Sequence, residues 1–248
     1  MTGAPRHGEP YDARRRSLQN VVVGLAGLVV LLAGAALLIG VLPGVVAEER
    51  AFLAASECHG ARTEDCLRAV SFTVESVNLQ RGKGSGGRIL VVSTQEGESR
   101  LQFNGIGPFL ERVRTGDRVT GTIWRGRIVV LADSEGGQRT ATHPVGGSLL
   151  GATFGIMLLL GGGLGTYAAR WWIRHPGHSS HRHPPELVAA CRATLGLGIY
   201  TFALAVVLYP WEAQLGVFLA LWAPAAGPAG VFLFRRRSIG RTTKRRGA

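Results

Sequence analysis

The chain has 248 residues, 46% apolar and 18% charged, with a formal net charge of +12. The apolar residues are gathered into four runs near or above the roughly 20 residues a helix needs to cross a bilayer, which excludes a soluble globular chain. The basic excess lies in segments flanking those runs, without an aromatic platform or a folded basic domain, and so argues against a nucleic-acid partner.

The runs are Val21 to Val46, Val145 to Ala169, Ala193 to Tyr209 and Ala213 to Phe234. The segment before the first, the segment between the second and third, and the tail together hold fifteen basic residues against three acidic ones. Glu48 to Pro144 holds thirteen basic and twelve acidic residues and is nearly neutral. Positively charged connections stay on the cytoplasmic side. The pattern therefore predicts a multi-pass protein of a bacterial plasma (inner) membrane, with both termini cytoplasmic and the long insert outside. Attraction of the tail to anionic headgroups follows from the same charges.

Residues 1–17 lack apolar periodicity and read as a disordered cytoplasmic arm. Residues 18–47 read as the first transmembrane helix. Val45-Val46-Ala47 could serve a signal peptidase, but the apolar core far exceeds the roughly 7–15 residues of a signal peptide. Ala36, Gly40 and Gly44 recur every four residues and predict a small-residue packing face. Glu48 to Glu57 reads as a short juxtamembrane helix.

Residues 48–144 read as an extracytoplasmic β-rich domain. Cys58 and Cys66 enclose a polar loop, and outside the cytoplasm such a pair is expected to be bonded. A redox pair normally shows C-x-x-C spacing, and His59 with two cysteines leaves a zinc shell incomplete. From Val70 the period becomes two, through Val70, Phe72 and Val74, then Val77 and Leu79 after a slip that predicts a bulge. Arg81 to Gly87 is a hairpin loop, and Ile89 to Val92 is a second strand. Leu101 and Phe103 mark a third strand, and Pro108 to Val113 a helical turn. Gly116-Asp117 turns into a fourth strand with Val119 and Ile123 on one face and Thr120, Thr122 and Trp124 on the other. Arg125-Gly126 leads to a fifth, Arg127 to Ala132. Three strands, a helical turn and a hairpin predict a small OB-like or SH3-like barrel. Asp133 to Pro144 reads as a polar linker.

Residues 145–169 form the second expected transmembrane helix. Gly147, Gly151, Gly155, Gly161 and Gly165 stand at G-x-x-x-G spacing and predict close helix packing. The partner is the first helix, a second copy of the chain or another membrane protein. Residues 170–192 read as a cytoplasmic His/Arg loop opened by the anchor pair Trp171 and Trp172. His175, His178, His181 and His183 could gather a metal, but no acid or thiol accompanies them, and a solvated loop is the better reading. Residues 193–234 form a helix hairpin turning at Tyr209-Pro210-Trp211, with Pro224 and Pro228 expected to kink its second arm. Cys191 at the membrane edge reads as a small apolar residue. Residues 235–248 are a basic cytoplasmic tail.

No charged residue lies inside any of the four apolar runs, which disfavours proton-coupled transport. Thr153, Thr166, Thr201 and Tyr200 are expected to bind helix to helix. The insert has only His59 and His143, and no hydrolase, zinc, phosphate or dinucleotide motif, so neither an enzyme nor a cofactor is expected. The run Val70 to Ala132, with Gly116-Asp117-Arg118-Val119 entering a closing hairpin, resembles uncharacterised bacterial integral-membrane families. In those a small extracytoplasmic β domain is framed by transmembrane helices, and no activity is assigned. The expectation is a non-enzymatic envelope protein whose external domain binds a partner protein or ligand. The alternative is a small transporter or channel subunit.

Overall fold

The computed structural model describes residues 9–58, 65–80, 86–175, 184–211 and 215–227, with side chains from Leu18 onward. In chain order the elements are α1 (Glu9–Ala36), a π turn (Leu37–Val41), α2 (Leu42–Leu53), β1 (Arg68–Gln80), β2 (Gly86–Ser93), β3 (Gly97–Phe103), α3 (Pro108–Arg112), β4 (Arg118–Trp124), β5 (Arg127–Asp133), β6 (Gly136–Arg139), α4 (Gly147–Arg174), α5 (Pro185–Leu208), a 3-10 turn (Tyr209–Trp211) and α6 (Leu215–Gly227). The chain divides into two units. One is Met1–Val46 with Gly146–Ala248, the other Ala47–Val145.

In the helical unit three segments are long and apolar enough to cross a membrane: Leu18–Leu53, Gly147–Arg174 and Pro185–Trp211. The expected count of four is corrected to three among the described residues. The fourth run appears there only as α6, and at about 1.5 Å per residue it is too short to span roughly 30 Å. Two boundaries also move. The helix begins at Glu9, inside the expected arm, and α5 begins at Pro185, inside the expected loop. Proline suits that first helical position, because the amide hydrogen it lacks would have no partner in the helix.

Leu149, Ala152, Ile156, Ala205 and Phe218 form the buried core of this unit. Phe218 is fully buried, so α6 packs among α4 and α5. Two hydrogen bonds tie α5 to α6: Trp222 Nε1 donates to Thr201 Oγ1 at 2.8 Å, and the Tyr200 hydroxyl to Leu221 O at 2.8 Å. Thr153 and Thr166 instead donate to Leu149 O and Gly162 O of their own helix, which corrects their expected cross-helix role. α6 runs through Pro224, while Pro228 lies outside the described residues.

The second unit is a curled antiparallel sheet in the order β3-β2-β1-β4-β5-β6. Six strands replace the expected five. β6, in the segment read as a linker, is Gly-Gly-Gln-Arg with no apolar alternation, yet it pairs with β5 from Val130↔Arg139 to Asp133↔Gly136. The bulge expected after Val74 is present, as a register shift between Val74 and Ser76. There β1 turns its backbone to the Gly116-Asp117 turn: Gly116 N–H donates to Val74 O and Val74 N–H to Asp117 O. At Arg125-Gly126 both residues have positive φ, 48° and 72°, the geometry a two-residue hairpin needs for its twist to match the strands. Alternate residues Phe72, Val74, Ile89, Val91, Leu101 and Phe103 point inward with Phe109 and Leu110 of α3. Full burial of each such side chain contributes about 1.5–3 kcal/mol. Just past β6, Ala141 N–H donates to Gln102 O of β3 at 2.6 Å, so the sheet curls until its two edges meet.

Candidate functional site

The outward face of β1, β2 and β3 carries a row that the sheet register assembles. Asn78 stands opposite Arg88, and Arg88 opposite Gln102. Because side chains alternate, Leu79, Gly87 and Phe103 turn toward the core while these three and their neighbours Gln80 and Asn104 point outward. Gln80 is paired with Gly86, which has no side chain, so the surface dips between the flanking amides. The result is an open cavity of about 510 Å³ lined by residues 78–80, 86–88 and 102–104. Its floor is held from beneath by α3, since a Cβ on Gly87 would come within 2.9 Å of the Leu110 side chain.

Among the described residues the cavity presents one guanidinium and four carboxamides and no carboxylate. Arg88 makes no ion pair among the described residues, unlike Arg68 (with Glu96), Arg112 (with Asp133 and Glu135) and Arg125 (with Asp65). Its donors face solvent in a planar fork suited to a carboxylate or phosphate. Of the expected loop Arg81 to Gly87, Gly86 and Gly87 line the cavity, and residues 81–85 lie outside the described residues.

The face singled out in the sequence is elsewhere and differs. Thr120 is exposed, but Trp124 is only 2% exposed, because it is covered on its own face rather than turned into the core that holds its neighbour Ile123. Phe52 meets Trp124 edge-on at 5.4 Å and also contacts the His143 ring at 5.0 Å. The Arg125 guanidinium lies 4.6 Å from the Trp124 ring centre and is paired with Asp65. His143 is thus part of a packed aromatic corner. Cys58 and Cys66 form a disulfide with Cα atoms 5.0 Å apart. Beside it Leu67 N–H donates to Ser56 O and Cys58 N–H to Leu67 O, fastening the loop's ends to the entry of β1. His59 lies outside the described residues.

In the helical unit the glycines pack α1 against α4, antiparallel. A Cβ on Gly147 would touch Val45, one on Gly151 would touch Leu42, and one on Gly155 would collide with Leu38. A Cβ on Gly165 would lie 3.4 Å from the Gly27 Cα. Gly161 is the exception, with nothing within 4 Å. The closest approaches to backbone are at Gly162, whose Cβ would meet the Leu31 amide and the Gly27 carbonyl, and at Gly27 and Gly34, which face α4 backbone. These two α1 glycines lie seven residues apart, a spacing a search for four-residue steps passes over. The expected Ala36/Gly40/Gly44 face is corrected: neither Gly40 nor Gly44 has a neighbour within 4 Å.

Gly161 opens instead onto an apolar groove of about 420 Å³ between α4 and α5, lined by Met157, Leu164, Cys191, Leu195 and Phe202 among others. His175 closes α4, stacked 4.5 Å from Trp171 with its Nδ1 2.9 Å from Trp171 O. His178, His181 and His183 lie outside the described residues, and no group able to hold a metal occurs among the described ones. Asn78, Arg88 and Gln102 escape a reading of the sequence because no motif joins them; only strand register does. No protein family, no curated protein and no solved structure matches the chain.

Proposed function

We propose that the chain is a non-enzymatic integral membrane protein of the bacterial cell envelope whose β unit lies outside the cytoplasm and binds a partner protein or ligand. The observation that carries this reading is the cavity over Asn78, Arg88 and Gln102. Its volume falls within the roughly 300–1,000 Å³ of small-molecule sites, and no hydrogen bond or ion pair joins its polar side chains among the described residues. The Cys58–Cys66 disulfide supports an oxidising compartment. The strand neighbours β3-β2-β1-β4-β5, with α3 before β4, support an OB-like barrel whose closure is shared with β6. Both termini are cytoplasmic in this reading, which the basic segments flanking the helices support. The transport alternative is the weaker one, because the groove between α4 and α5 is apolar apart from Thr194 and Cys191.

The test is site-directed photocrosslinking in native membranes, with the reactive side chain at Gln102 and, as a control surface, at Thr120. A crosslinked product is expected from Gln102 and not from Thr120. Recovery of neither a partner nor a self-contact from Gln102 would count against a binding role. Ion or solute flux through liposomes carrying the pure protein would favour the channel alternative.

A further inference from the structure

Building on the binding role proposed for this cavity, we infer that the Asn78–Arg88–Gln102 site takes a carboxylated sugar, a uronic-acid unit either free or within a polymer. Three features set the ligand class. First, among the described residues the guanidinium of Arg88 is free of acids and no carboxylate lines the cavity, so the ligand carries negative charge. A planar carboxylate accepts two parallel hydrogen bonds from such a fork. Second, the flanking groups are four carboxamides, Asn78, Gln80, Gln102 and Asn104. Each carboxamide both donates and accepts, which matches sugar hydroxyls, themselves donors and acceptors. Third, the size fits. Three adjacent strands at about 4.8 Å spacing and two outward positions per strand about 7 Å apart give a polar patch of about 10 by 7 Å, the footprint of roughly one sugar ring.

The same features disfavour the competing classes. Single-stranded nucleic acid is held by exposed aromatic side chains and a basic track. Among the described lining residues the one aromatic, Phe103, is 1% exposed and points into the core, and Arg88 is the one cation. An extended peptide needs apolar pockets for alternate side chains. This lining offers none, since Leu79 is packed against the core beneath.

The experiment is equilibrium binding to the full-length oxidised protein in nanodiscs, with glucuronate and a tetra-galacturonate as probes and glucose and acetate as controls. Saturable glucuronate binding is expected, with glucose and acetate each weaker by about tenfold or more. Arg88→Met should remove the preference for glucuronate over glucose, Arg88→Lys should keep part of it, and Asn78→Ala with Gln102→Ala should weaken both sugars. Unchanged melting and an intact Cys58–Cys66 bond establish that each variant is folded. A tetramer that binds more tightly than the monomer identifies a polymer as the source, and equal affinities a free sugar; both outcomes support the site. Absence of saturable uronate binding overturns the inference, as does acetate binding equal to glucuronate, or an Arg88→Met protein that binds like the parent. If uronates fail while the Gln102 crosslink is recovered, the binding role stands and only the sugar assignment falls.

Discussion

Gly161 and Gly162 are neighbours in sequence with opposite surroundings. A Cβ at 162 would enter the backbone of α1 at Gly27 and Leu31, whereas one at 161 meets nothing within 4 Å. Backbone cannot rotate out of the way as a side chain can, so Gly162→Val should destabilise the α1–α4 pair by about 1–3 kcal/mol or more. Gly161→Ala should be near neutral. Reversible unfolding in mild detergent reads both, and equal effects would contradict the crossing point. Asp133 gives a second test. Partial desolvation, the largest single influence on its carboxyl, pushes the pKa up. The Glu135 N–H, the Arg112 guanidinium and the Gly136 N–H together outweigh it and hold the group below its ordinary 3.8. A carboxyl depressed in the folded state contributes stability above its unfolded pKa, and that contribution is lost as pH falls through the lower folded value. Acidification below about pH 4 should therefore lower the melting temperature of the parent protein more than that of Asp133→Asn, the two converging at the acid end. Parallel curves would show that the Asp133 turn contributes nothing.

The π turn is where one added residue decides a whole helix face. From α1 into that turn, Gly24, Gly27, Leu31, Gly34 and Leu38 face α4 in alternating steps of three and four. The next step of that series would be Val41, but Val41 is 54% exposed and Leu42 meets Gly151 instead. Leu42 N–H bonds to Leu37 O, so the extra residue is absorbed within Leu37–Val41 and the face stays on α4. Deleting Ile39 should restore an uninterrupted α-helix and leave the face of α2 on α4, because Leu42 then takes the place of the next step in the series. A Val45→Cys/Gly147→Cys pair should therefore crosslink in the parent and in the deletion variant alike. Loss of the crosslink in the deletion variant would mean that the turn does not absorb the extra residue. In the β unit the corresponding device is the bulge after Val74, and here the sequence announced it, because an alternating pattern that slips by one residue is visible in the apolar spacing. β6 was not legible. Its residues are Gly, Gly, Gln and Arg, and it is a strand because β5 offers an unpaired edge.

For the whole molecule, the charge asymmetry and the disulfide make one joint prediction about sidedness. A membrane-impermeant thiol reagent applied outside intact cells should label Cys58 only after reduction. Cys191 should be reached from the cytoplasmic side without it. Labelling of Cys58 from the cytoplasm would invert the proposed topology. The strong net charge belongs to the segments flanking the helices, while the β unit is almost neutral, so net charge is a poor guide to what that unit would bind.

The sequence by itself determined the apolar runs, the nearly neutral insert between them, the cysteine pair, the first five strands and the small-residue character of α4. Each is a local property: length, composition, or a period of two or four read along the chain. The tertiary structure alone decided which glycines touch and which lie open, the π turn, the sixth strand, the covering of Trp124 by Phe52 and the meeting of Asn78, Arg88 and Gln102. Those outcomes depend on register between segments up to well over a hundred residues apart, as between Gly27 and Gly162. Register is set by the packing of the whole unit, and no local pattern along the chain encodes it.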